Sequence, residues 1–130
     1  MKRLHLVFGI VVLFVFVLTG QYMDRVYAHL RGMADMPRML FRSRHIYILL
    51  AGLLNLGLGT YLKRQPSDWR RVLQVFGSVL IVAATCLLVG AFFYEPLKAD
   101  LQNTPFSRQG LYFIAAGTVF HVIAGLSDRP

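Results

Sequence analysis

Four apolar stretches, at about 4–22, 45–62, 72–94 and 111–126, dominate this chain of 130 residues. None carries Lys, Arg, Asp or Glu in its interior. A hydrocarbon core about 30 Å thick needs roughly 20 apolar residues in helix, and each stretch comes close. Backbone polar groups in lipid must be satisfied inside the segment or by a closed barrel. Barrel strands alternate apolar and polar residues, and these stretches do not. The expectation is an all-α integral membrane protein, one domain over 1–130, built as a four-helix transmembrane bundle.

Composition agrees, because a 56% hydrophobic chain of this length has more apolar surface than a soluble core can hide. The formal net charge of +8 would point to nucleic acid in a soluble protein. Here the basic residues sit in loops beside apolar segments, where anionic headgroups and membrane orientation account for them. The expected partner is therefore the lipid bilayer, not nucleic acid. The single cysteine, Cys86, allows no disulfide within the chain and reads as a small buried hydrophobe. The N-terminal run after Met1-Lys2-Arg3 is too long for a signal-peptide core. No small-x-small cleavage pattern follows it at Leu18-Thr19-Gly20-Gln21, so it reads as an uncleaved first helix.

Rings at the segment ends, Tyr22, Tyr47, Tyr61, Trp69, Phe92, Phe93, Tyr94 and Tyr112, suit headgroup belts. The longest connection, 23–44, carries Met23, Val26, Tyr27, Leu30 and Met33 at helical spacing. It predicts an amphipathic helix lying in the interface between the first two spans, with Pro37 breaking or restarting it. Gln65-Pro66-Ser67-Asp68 is turn chemistry, with Ser67 or Asp68 available as a cap. The third connection, with Pro96 and Pro105, reads as irregular.

Positive charge divides evenly between the two sides. Lys2, Arg3, Lys63, Arg64, Arg70, Arg71 and Arg129 fall on one side, and Arg25, Arg31, Arg38, Arg42, Arg44, Lys98 and Arg108 on the other. The first helix usually sets orientation, and it opens with Lys2-Arg3. Both termini are therefore expected in the cytoplasm. Small size and compact loops suggest a bacterial inner membrane.

Helices in lipid associate through small residues and interhelical hydrogen bonds. The contact faces should carry Ala51, Gly52, Asn55 and Gly59 in the second span, and Gly77, Ser78, Ala84, Thr85 and Ala91 in the third. In the fourth they should carry Gly117, His121, Ala124 and Gly125. Asn55 and His121 then lie on inward faces at matched depth, about 15 Å below one surface, which predicts a structural polar pair between them.

A buried histidine can also hold a haem or a metal. His121 is the candidate, with His45 and His29 near the opposite surface and His5 closer in depth. A membrane haem held by protein ligands on both faces needs two of them at one level. No HxxxH, HExxH or paired-cysteine spacing reinforces such a site. Met33, Met36 and Met39 repeat every third residue, a spacing that suits Cu(I) or equally an interfacial apolar face. Arg38, Arg42 and Arg44 crowd a helix mouth where lipid phosphate would sit. No nucleophile elbow, phosphate loop or nucleotide fingerprint is present. All six acids lie in connections or near the C-terminus. The expectation is a non-enzymatic accessory, scaffold or assembly component without cofactor, paired with a membrane protein or with a second copy. The alternative is a b-type haem- or copper-binding membrane protein.

Overall fold

The computed structural model describes residues 1–63, 65, 67–98 and 100–126. Arg64, Pro66, Asp128 and Arg129, which entered the charge and turn arguments, lie outside the described residues. Among those residues the chain is all-α, with four helices and no strand. Helix α1 spans Lys2–Tyr27, α2 Asp35–Tyr61, α3 Asp68–Tyr94 and α4 Pro105–Gly125. Short 3-10 turns follow α1 at Ala28–Leu30 and α3 at Glu95–Leu97. Together with these turns, α1 and α3 are long and apolar enough to cross a membrane. Helices α2 and α4 do not meet that measure: α2 opens with Asp35, Arg38, Arg42 and Arg44, and α4 has only 21 residues and includes Arg108 and Gln109.

The helices pack as two hairpins, α1 on α2 and α3 on α4, joined mainly through α2 against α3. Glycines set how close each hairpin closes. A Cβ on Gly59 would sit 2.5 Å from the Leu6 nitrogen, and one on Gly9 would sit 2.8 Å from the Leu56 nitrogen. In the other hairpin, a Cβ on Gly77 would lie 2.8 Å from the Gly117 carbonyl oxygen. These helices meet backbone to backbone, the geometry that small residues permit. The small-residue faces are largely the buried ones: Ala51, Gly52, Asn55 and Gly59 in α2, and Gly77, Ser78, Ala84, Thr85 and Ala91 in α3. In α4 Gly117 and Ala124 are buried, whereas Gly125 faces open space.

The structure corrects the connection 23–44. It holds no separate amphipathic helix. Residues through Tyr27 continue α1, and α2 begins at Asp35, ten residues earlier than the apolar pattern indicated. The apolar spacing has another cause: Met23, Tyr27, Leu30 and Met33 pack on Phe41 and Phe92 inside the protein. Pro37 is the third residue of α2, where its missing N–H costs no helical bond, so it starts the helix instead of breaking one. The reversal between α1 and α2 places Ala28, His29 and Leu30 at φ of 45°, 60° and 61°, ahead of Gly32 at 74°. Left-handed backbone costs a non-glycine residue about 1–2 kcal/mol. Burial of Leu30 against Phe41 holds this turn in place.

Smaller corrections follow the same logic. Helix α4 starts at Pro105, a favoured first helical residue, so the third connection is shorter than expected. Neither Ser67 nor Asp68 makes a side-chain cap bond at the start of α3. Cys86 is exposed, not buried. Among the belt rings, Tyr61, Trp69, Tyr94 and Tyr112 point outward, but Phe92 is fully buried and Tyr22 packs against it.

Candidate functional site

The interior holds a chain of polar side chains drawn from all four helices. His5 of α1 and Asn55 of α2 are fully buried. They meet through His5 Nδ1 and Asn55 Oδ1 at 2.7 Å. The Asn55 amide nitrogen donates to its own helix at the Ala51 carbonyl, 2.8 Å, and to Thr85 Oγ1 of α3, 3.0 Å. Thr85 in turn donates to the Ile81 carbonyl at 2.7 Å. Close approach of α1 to α2 at Gly59, one turn beyond Asn55, is what brings His5 within reach.

These bonds fix every proton in the chain. A backbone carbonyl only accepts, so the Asn55 NH₂ must face Ala51 and its oxygen must face His5. His5 therefore carries its proton on Nδ1 and presents a bare lone pair at Nε2. That nitrogen is buried and has no hydrogen-bond partner. An unmet buried polar atom costs about 1–3 kcal/mol.

His121 of α4 approaches the same place from the opposite hairpin. Its Nε2 lies 3.2 Å from Ser78 Oγ of α3, and its Nδ1 is likewise buried without a partner. Gly77 makes room for the ring, since a Cβ there would come within 3.1 Å of His121 Cδ2. The rings of His5 and His121 stand nearly perpendicular, at 78°, with centroids 6.4 Å apart. A cavity of about 390 Å³ reaches His121 from the protein end, lined by Gly57, Lys63, Gln65, Gln74 and Gly125 among others. Gln74 braces this end by donating to the Lys63 carbonyl.

The expected Asn55–His121 pair is not formed. On α3, Asn55 meets Thr85 and His121 meets Ser78, seven residues or about 10 Å apart along the helix, so depth as well as neighbour order separates them. Asn55 faces α1 and α3, whereas α4 packs on α3 and shares little contact with α2. Each of the two residues found a different partner, and His5 links the two neighbourhoods.

The remaining candidates separate from one another. His45 lies inside the opposite end, 3.0 Å from Thr19 Oγ1 and stacked on Phe16 at 4.1 Å. Gly20 leaves space for its ring. His29 instead pairs with Asp24 at the surface. Met33 packs inward on the aromatic cluster, while Met36 and Met39 point outward, so the three thioethers do not share a face. Among the arginines, Arg38 pairs with Asp35 and Arg42 is exposed beside the shallow groove at His29. Arg44 is withdrawn altogether: its Nε donates to Glu95 Oε2 at 2.7 Å, with both side chains buried. The other Glu95 oxygen accepts the Ser107 N–H at 2.9 Å. The three arginines therefore form no common phosphate site.

The sequence places His5 closer in depth to His121 than the other histidines but pairs His121 with Asn55, and it does not pair Arg44 with Glu95. A signal existed for both. His5 sits one turn before Gly9 in a charge-free span, and Arg44 and Glu95 flank spans that end on the same side. Among the described residues, no three His, Cys, Asp or Glu side chains gather as a metal cluster. Comparison with protein-family models, curated proteins and solved structures finds no match to this chain.

Proposed function

We propose that this chain is an integral membrane protein whose four helices all cross the bilayer, and that it acts as a non-enzymatic accessory or assembly component through helix packing. The observation that carries the reading is the distribution of side chains. Large apolar residues line the outside of the helices: Leu4, Val7, Ile10, Phe14 and Leu18 in α1, Val72, Phe76 and Val79 in α3, and Val119 and Val122 in α4. The interior instead holds His5, Asn55, Ser78, Thr85 and the Arg44–Glu95 pair. Water would penalise such an apolar exterior, whereas lipid accepts it and demands that polar groups be satisfied inside.

Helices α2 and α4 fit the same reading because their polar residues are engaged inward. Gly57, Gly90 and Gly125 face open space and leave room for another helix to approach. The partner is a membrane protein or a second copy of this chain. Lys2, Arg3, Lys63, Arg70 and Arg71 at one end support cytoplasmic termini in a bacterial inner membrane.

Alkaline carbonate washing of native membranes tests the first half: the chain is expected to stay in the pellet, and its release would end the membrane reading. Purification in several mild detergents tests the second. The expected particle contains a stoichiometric partner or more than one copy. A lone monomer in every detergent would remove the packing role.

A further inference from the structure

We infer that His5 and His121 form a two-coordinate site for a single Cu(I) ion, held between His5 Nε2 and His121 Nδ1. Both atoms are buried and lack a hydrogen-bond partner, and they belong to neighbouring rings on different helices. Metal–nitrogen bonds to imidazole are about 2.0 Å, so two rings on opposite sides of one ion hold their centroids about 6 Å apart. The observed separation is 6.4 Å. Rotation about the nitrogen–metal–nitrogen axis is unrestricted in such a site, which accommodates the 78° angle between the ring planes.

The surroundings resemble the outer support of a metal-ligating histidine. Such a residue normally donates its second ring N–H to an oxygen, which sets the tautomer and aims the free lone pair. Asn55 Oδ1 does this for His5. Ser78 Oγ stands in the matching place for His121, and in the tautomer whose Nε2–H donates to it Nδ1 is left bare. Asn55 is itself locked by Ala51 and Thr85, which makes the aim of His5 rigid.

Charge and ligand number select the ion. The polar neighbours that bond these rings, Asn55 and Ser78, are neutral, and Glu95 is committed to Arg44 at the other end. A divalent ion would bring uncompensated charge into a buried site, which is costly. Zinc also takes four ligands in closed sites. A monovalent soft ion on two neutral imidazoles brings half that charge and needs only two ligands. Haem would need a flat slot between the rings. The Asn55–Thr85 bond and the backbone contacts at Gly59 and Gly77 close the hairpins around the pair. The small cavity at His121 offers an approach for a bare ion.

The full chain, purified in detergent after growth with a copper chelator, would be titrated with Cu(I) against a chromogenic Cu(I) chelator under reducing conditions. One ion per chain is expected. His5→Gln and His121→Gln should each weaken binding at least 100-fold. Asn55→Ala, a positioning change outside the coordination, should weaken it about 10–100-fold. A combined Met33→Leu, Met36→Leu, Met39→Leu variant should bind as the parent does. X-ray absorption on the loaded parent, which needs no variant to fold, should show two nitrogen scatterers with imidazole signatures. No binding by the parent overturns the inference, as does parent-like binding by folded histidine variants. Sulfur scatterers, or a Soret band lost on mutation of either histidine, overturn it equally.

Discussion

The two ends of this molecule bury polar groups in opposite ways. Near the α1–α2 reversal, Arg44 and Glu95 are charged and buried, and each oxygen of Glu95 is used. Aromatic rings surround this end: Tyr22, Tyr27, Phe41, Phe92 and Phe93 touch one another in series. At the other end the groups that bond the buried rings are neutral, Arg70 is buried against Gln65, the helices close on glycine, and two ring nitrogens stay open. Completing a charged pair is a matter of holding the fold together, because an unpaired buried charge is far costlier than an unpaired neutral nitrogen. Open neutral nitrogens are cheap enough to keep, and they are the groups free to take a ligand.

The sharpest way to break this contrast is at the charged end. Glu95→Leu leaves Arg44 buried without its partner and strips the Ser107 N–H of its acceptor. A loss of about 3–5 kcal/mol is expected, read by denaturant unfolding in detergent micelles. Arg44→Met combined with Glu95→Leu should recover most of it, since removing both charges leaves nothing uncompensated. A double variant as unstable as the single would show that the ion pair is not the cause.

At the glycine end, two neighbours in α2 should respond with opposite sign. Gly59→Ala drives a methyl into the Leu6 backbone and should cost about 1–3 kcal/mol. Gly57→Ala enters open space, and it should stabilise by about 0.5–1 kcal/mol, because glycine is the worse helix former. Equal effects at the two sites would refute the close approach of α1 to α2. The smallest effect is expected in the reversal. Ala28→Gly relieves a left-handed backbone at φ 45° and should raise stability by about 1 kcal/mol. No gain in the unfolding midpoint would mean that the turn is not strained.

The inward faces of α2 and α3 were legible because small residues recurring at helical spacing mark a face whatever lies against it. The stretch 23–44 was misread for a related reason. Apolar residues at helical spacing report that a face is covered, not what covers it. Met23, Tyr27 and Leu30 meet aromatic rings rather than headgroups. Arg44 carried the signal of a phosphate-facing arginine, and its counter-ion lies 51 positions away in sequence. His121 was legible as an inward residue, but its companion was not, since depth along a helix says nothing about which helix stands beside it.

Period, length and charge spacing are local properties, and from them alone the chain determines an all-α protein with long apolar helices and the inward faces of α2 and α3. Only the tertiary structure decided that His5, not Asn55, stands beside His121, and that Arg44 is spent on Glu95. Those contacts follow from which hairpins the glycines allow to close and from the order of neighbours around the packed helices. That order is a property of the whole assembly, which no single segment encodes.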